Sequence, residues 1–250
     1  MTYAVTTINP FFAARRKRLA PSAPPEPNQP VYARLPLAPR NGSPVPHLTS
    51  LYHFHRAGDY GDRAYPGNCG NLIKDLMRYF KPGLVFDPMT GSGTCRDVCL
   101  ELGIPCMSWD IHHDFDACDP KDFSAQETFD FIWVHPPYWR QKLYSADARD
   151  LSRAPTLEEF LRRYGLFLRN CARALKRGGK LAVLMGDYCD RDAGFVPLTY
   201  HTKRLAFAAG LRQCCTDIIR FSHGASSGKK VYRSSFIPGL HDVCAIFERP

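Results

Sequence analysis

Two short stretches hold residues whose types and order could do chemistry. The first is Asp87-Pro88-Met89-Thr90-Gly91-Ser92-Gly93-Thr94, an acid that runs into a glycine turn. The second is His135-Pro136-Pro137-Tyr138-Trp139-Arg140, an imidazole and a rigid proline pair followed by two aromatic rings and a guanidinium. The glycine turn lacks the lysine of GxxxxGK[ST], and Arg96 breaks GxGxxG, which disfavours ATP and a dinucleotide. An acid beside such a turn suits a ligand with an ammonium group. A helix opening at Thr94 suits one with a carboxylate. A ligand with both is an amino acid. Asp110, at the end of the next expected strand, can accept from both hydroxyls of a ribose. Amino acid, ribose and base together describe S-adenosylmethionine. The proline turn reads as the substrate's reacting site, because proline cannot donate and leaves its carbonyls rigid.

The flanking sequence positions these two stretches. Leu84–Asp87 and Phe129–Val134 are short apolar runs that read as buried strands. A helix is expected over Thr94–Leu102, stopped by Gly103, and then a strand over Cys106–Ile111. Thr156 is the expected cap of a helix over Leu157–Leu175, with Glu158 and Glu159 in its first turn. Gly178-Gly179 end it, and a strand follows over Lys180–Gly186. Another helix spans Leu198–Ala209, and strands near 212–221 and 242–248 finish the chain. Upstream, a helix over Leu72–Phe80 takes Asn71 as its cap. This alternation predicts a doubly wound, mostly parallel α/β sheet. The last two strands, with no helix between them, predict a terminal antiparallel pair. Both chemical stretches then lie at the carboxyl edge, where open sheets bind ligands.

Composition sets the outer limits. The chain has 250 residues, 44% hydrophobic, which allows one sizeable core. Residues 1–48 hold ten of the 21 prolines, six basic residues and only Glu26 as an acid. They read as a basic Pro-rich arm or linker, either a phosphate-binding tail or a solvated one, ahead of a domain over 49–250. Arg15-Arg16-Lys17-Arg18 is its basic cluster. The net charge of +9 favours a polyanionic partner. A second basic stretch, 220–241, contains Lys229, Lys230 and Arg233 and no acid, and suits phosphates. Ten cysteines without a CxxC pair read as reduced thiols of a cytosolic protein. No run of apolar residues is long enough for a membrane span, and no secretory leader pattern opens the chain. His53, His55, His112 and His113 have no cysteine or acid at ligand spacing, so no metal is expected.

Asp87-Pro88-Met89-Thr90-Gly91-Ser92-Gly93-Thr94 resembles the DPFxGSGT motif of the amino-group DNA methyltransferases. His135-Pro136-Pro137-Tyr138 resembles their (D/N/S)PPY motif. The order and spacing of the two fit, and the resemblance covers about residues 60 to 250. It implies a seven-stranded Rossmann-like sheet and transfer of a methyl group to adenine N6 or cytosine N4 in DNA. It implies cofactor contacts from Asp87, Pro88, Thr90, Gly91, Gly93, Thr94, Asp110 and Ile111, with Tyr65 and Asn68 in a segment that closes over them. Asp122 is the candidate for the adenine amine of the cofactor. In such enzymes the turn pulls the amine lone pair out of conjugation. Pro136, Pro137 and His135 supply that geometry here, Tyr138 stacks on a flipped base, and Trp139 stacks or walls the pocket. Arg140, Lys229, Lys230 and Arg233 are the expected contacts to the nucleic acid. The sequence departs from the family at His135, where Asp, Asn or Ser is usual. A neutral imidazole can still accept a hydrogen bond, whereas an imidazolium cannot. No block is large enough for a target-recognition domain, so recognition falls to loops and arm, a dimer partner or a recruiting protein. RNA is the alternative substrate, since the same motif order occurs in RNA guanine-N2 methyltransferases. A silent nucleic-acid binder that keeps the fold is the alternative of another class.

Overall fold

In the computed structural model, the apolar runs become the middle of one sheet. The structure describes residues 40–53, 60–62, 69–221, 237 and 239–250. The basic cluster Arg15–Arg18, the turn with Tyr65 and Asn68, and Lys229, Lys230 and Arg233 lie outside the described residues. The chain divides into two units, Met1–Arg40 and Asn41–Pro250. Within the second, Val45 is buried and His47 Nε2 hydrogen-bonds Asp75 Oδ2 at 2.8 Å.

The described residues form ten strands: β1 (Leu51–His53), β2 (Val85–Asp87), β3 (Cys106–Ser108), β4 (Phe129–Val134), β5 (Leu175–Met185), β6 (Tyr188–Asp190), β7 (Gly194–Val196), β8 (Arg212–Gln213), β9 (Ile218–Phe221) and β10 (His241–Glu248). Seven of them lie in the order β1-β9-β10-β5-β4-β2-β3, with β8 pairing β10 off this path. β2, β3, β4 and β5 are parallel, and β10 runs antiparallel to both β5 and β9. The sheet is therefore mostly parallel with a terminal antiparallel pair. β6 and β7 form a separate hairpin.

Helices α1 (Gly70–Phe80), α2 (Thr94–Leu102), α3 (Leu157–Ala174) and α4 (Leu198–Ala208) cover both faces. The strand pleat sorts the core. Val85, Phe131, Trp133, Ala182 and Leu184 pack with Leu72, Ile73 and Leu76 of α1 and Cys95, Val98 and Cys99 of α2. Their strand neighbours Phe86, Ile132, Val134, Leu181 and Val183 pack with Phe160, Phe167 and Leu168 of α3 and Leu198 and Ala206 of α4. Runs apolar on both sides are what a sheet covered on both faces requires.

Several local expectations hold and some do not. α2 and β4 have the expected bounds. Thr156 accepts from the Glu159 amide at 3.1 Å, a cap contributing about 1 kcal/mol. Asn71, by contrast, lies inside α1, which Cys69 precedes with no side-chain cap. Gly70 holds this start in place, since a Cβ there would overlap the Tyr60 ring. β5 begins at Leu175, not Lys180, because the chain leaves α3 directly into pairing with Phe129 of β4. Among the described residues, no helix is long and apolar enough to cross a membrane. All ten cysteines are free thiols.

Candidate active site

β3 and β4 flank β2 on opposite sides, so the chain changes direction across β2. Such a switch point opens a crevice at the carboxyl ends of neighbouring strands, about 4.8 Å apart. The glycine loop leaves β2 there and the proline turn leaves β4.

The glycine loop is fixed from several sides. The Trp109 amide donates to the Asp87 carbonyl at 3.0 Å, and the Thr90 amide to the Trp109 carbonyl at 3.1 Å. Gly91 and Gly93 have φ of 49° and 82°, a region that side chains disfavour. Gly93 occupies the N-cap position of α2 and carries no capping side chain. The Gly91 amide donates to Asp110 Oδ2 at 3.1 Å. Asp110 Oδ1 accepts from the His112 amide at 3.0 Å and pairs with His113 Nδ1 at 2.9 Å. A carboxylate has about four acceptor positions. Asp110 therefore keeps room for one more donor, and for two if the exposed His113 swings away. Pro88, Thr90 and Thr94 are buried, and Ile111 opens a short 3-10 turn after Asp110.

Asp87 is nearly sealed, at 3% exposure, and its Oδ1 accepts from the Met89 amide at 3.2 Å. Burial pushes its carboxyl well above the usual carboxylate range, against the opposing effect of that amide. A cationic partner would restore its charge. Asp122 is placed differently. It is exposed, and its Oδ2 accepts from the Asp116 amide at 3.0 Å, which closes its own loop.

A strap that the sequence did not reveal lies against the glycine loop. The Asp62 amide donates to the Ser92 carbonyl at 3.0 Å, and the Gly61 amide to Asp97 Oδ2 at 2.9 Å. A Cβ on Gly61 would come within 2.5 Å of Thr94 Oγ1. Tyr60 ties the strap to Glu101 of α2 and accepts from Lys74 Nζ of α1 at 2.9 Å.

The proline turn is equally constrained. His135 Nε2 and the Tyr138 hydroxyl are 3.0 Å apart. Burial, together with the nearby Asp242 carboxylate, pushes the Tyr138 hydroxyl well above its ordinary pKa. It therefore stays protonated at working pH. Pro136 is buried, and Pro137 and Tyr138 are half-buried. Trp139 is buried with φ 48°, and its indole N–H donates to the Ala154 carbonyl at 2.9 Å. It walls the turn from behind. Arg140 lies over the Trp139 ring at 4.4 Å. Its guanidinium grips Asp190 through Nε at 2.8 Å and Nη2 at 2.6 Å, and reaches Asp192 at 2.9 Å. The β6–β7 hairpin, which carries Asp190, thus anchors the turn. Among the described contacts, Arg140 serves this anchor.

A buried ion pair lies beneath Tyr138. Arg220 of β9 donates through Nη2 to Asp242 Oδ2 of β10 at 2.7 Å, and its Nε is buried with no hydrogen-bond partner among the described residues. Gly186, just past β5, lets the two groups approach. A Cβ there would be 2.6 Å from Asp242 Oδ1 and 2.8 Å from Tyr138 Cε2. Asp187 accepts from the Thr199 amide at 2.9 Å and hydroxyl at 2.8 Å, which secures the start of α4.

No family model matches the chain, and no curated protein matches it. Solved structures do resemble it. One is described as a candidate DNA modification methylase of Thermus thermophilus complexed with S-adenosyl-L-methionine. It is 19% identical over 54% of this chain and 54% of its own, with a TM-score of 0.39. The chain thus spans about half the length of that structure. A SAM-dependent methyltransferase of Archaeoglobus fulgidus is 16% identical over 72% of this chain and 94% of its own, with a TM-score of 0.45. TrmN of Thermus thermophilus is 19% identical over 72% and 48%, with a TM-score of 0.40. Likenesses this distant leave the function to be argued from the chain's own residues.

Proposed function

We propose that the chain is an S-adenosylmethionine-dependent methyltransferase acting on an exocyclic base amine, adenine N6 or cytosine N4, in DNA. The observation that supports this best is the pairing of two loops at one switch point. A left-handed glycine loop tied to Asp110 leaves β2, and His135-Pro136-Pro137-Tyr138 leaves the neighbouring β4. The cradle fits the cofactor. Asp110 has acceptor capacity for ribose hydroxyls, the N-terminus of α2 faces a carboxylate, and Asp87 offers a charge to an ammonium.

Bound there, the cofactor supplies an electrophilic methyl group. The chain's own residues make the amine a nucleophile. The Pro136 carbonyl accepts one amine hydrogen and the His135 imidazole, with its Nε2–H donating to the Tyr138 oxygen, accepts the other through Nδ1, which draws the lone pair out of the ring and aims it. Tyr138 holds the base by stacking. Its hydroxyl stays protonated and so does not serve as the base that collects the amine proton. A duplex target must first be flipped, which costs a few kcal/mol. Phosphate contacts fall to Lys229, Lys230 and Arg233 and to the basic arm, and a dimer partner or recruiting protein adds target recognition.

The direct test offers methyl-labelled S-adenosylmethionine with duplex DNA, single-stranded DNA and bulk RNA separately. Digestion should place label in N6-methyldeoxyadenosine or N4-methyldeoxycytidine. Label confined to ribonucleosides would replace DNA by RNA. Bound cofactor with no label in any nucleic acid would replace the enzyme by a silent binder.

Asp110→Ala should weaken cofactor binding by about 1.5 kcal/mol, roughly tenfold, the low end for hydrogen bonds to a charged group. Isothermal titration of the folded variant checks this, and an unchanged Kd would remove Asp110 from the ribose site. The rate of transfer should also fall as His135 becomes protonated at low pH, because an imidazolium cannot accept. A single-turnover rate that stays flat from about pH 5.5 to 8 would deny His135 the acceptor role.

A further inference from the structure

We propose that Cys95, Cys99 and Cys106 form a zinc(II) site behind the glycine loop. Their sulfur atoms all lie within 4.8 Å of one another. Among the described residues, no other three His, Cys, Asp or Glu side chains converge in this way. Cys69, Cys118, Cys171 and Cys244 are also buried but join no such group, so burial alone does not gather thiols in this core.

The local fold explains the convergence. Cys95 and Cys99 are four apart on α2 and share one helix face. α2 ends at Gly103, and the Ile104 amide donates back to the Cys99 carbonyl at 2.9 Å. The chain thus reverses within three residues and brings Cys106 of β3 against that face. No CxxC spacing announces the trio, which is why spacing alone gave no metal set.

The chemistry favours a soft closed-shell cation. With zinc–sulfur bonds of about 2.3 Å, three thiolates lie roughly 3.8–4.0 Å apart, so the cluster has to tighten by less than about 1 Å. The group holds only sulfur, which excludes calcium and magnesium as preferred occupants. Cys95 and Cys99 are buried and Cys106 half-buried, so a water can complete a tetrahedron from the Cys106 side. Each thiol that becomes a ligand gives its proton to solvent as its sulfur–zinc bond forms, and nothing is oxidised or reduced. Bound zinc would fasten the first turn of α2, directly after Thr94, to the strand that leads to Asp110. The site does not depend on which substrate the enzyme takes.

The test uses the full chain, purified and reduced. Zinc(II) is titrated against a chromophoric chelator, and cobalt(II) serves as the spectroscopic probe. The expected result is one zinc per chain, a sulfur-to-cobalt charge-transfer band bleached by zinc, and a raised Tm. Cys99→Ser and Cys106→Ser should each abolish the band. Cys106→Ser, at the half-buried position, guards against a folding defect at Cys99. Cys215→Ser, at an exposed position outside the trio, should keep the band. Zinc bound well below one per chain, or a band that survives both Cys99→Ser and Cys106→Ser, overturns the site.

Discussion

Arg220→Ala is expected to destabilise the protein by about 3–5 kcal/mol at neutral pH. Arg220 is 4% exposed and Asp242 9%, and they meet at 2.7 Å across the β9–β10 pair. Removing the guanidinium takes from a buried carboxylate the counter-charge that Arg220 supplies. That penalty exceeds the net value of the pair itself, because burying both ions already cost much of their attraction. The double variant Arg220→Leu with Asp242→Leu should therefore recover most of the loss. Urea denaturation of both proteins separates the two contributions. If Arg220→Ala loses less than about 1 kcal/mol, the pair is solvated and the layer is not dry. The functional consequence follows from position. Asp242 Oδ1 and the Tyr138 ring crowd the same Gly186, so a shifted Asp242 also shifts the proline turn proposed as the reacting site.

This pair also marks where the sequence stops being legible. Period and composition show each central strand and helix, because both faces of the sheet are buried and the apolar runs are unbroken. β4 and α2 have their expected ends, and Thr156 caps as its type suggests. Both chemical stretches lie at strand ends for the same local reason: acid-glycine and proline pairs end strands. Arg220 and Asp242 are different. They become partners only through the β9–β10 register, set across a segment of some twenty residues. Arg140 likewise reads as a cation next to an aromatic turn, yet its carboxylate partner sits fifty residues away on a hairpin with no strong strand pattern. The contacts of Gly61 and Asp62 with the glycine loop and its helix are made by backbone amides, which no residue type announces. The cysteine trio depends on one tight turn at Gly103. Local chemistry was readable, whereas the contacts that hold it in place are long-range and were not.

Tyr138→Ala should cut methyl transfer by about 1.5–4.5 kcal/mol, roughly 10- to 2,000-fold, while leaving cofactor affinity unchanged. Two losses add. A ring that stacks on a base contributes about 1–3 kcal/mol. The hydroxyl's hydrogen bond with His135, 3.0 Å long, contributes about 0.5–1.5 kcal/mol and fixes the imidazole orientation. Cofactor affinity should be spared, because the proposed cradle of Asp87, Asp110 and the glycine loop lies at and just after the ends of β2 and β3, not in the turn after β4. Tyr138→Phe separates the two losses. It keeps the stack and removes only the hydrogen bond, so its rate should fall by no more than about tenfold. The comparison is made on single-turnover rates at saturating cofactor, with the Kd measured in parallel. Three patterns are informative. A large loss in Tyr138→Ala with a small one in Tyr138→Phe assigns the ring to the base. Equal losses in both would assign the effect to His135 alone and turn Tyr138 into a positioning residue. A wild-type rate in Tyr138→Ala would take the reacting site away from the proline turn, and with it the strongest support for an amine substrate.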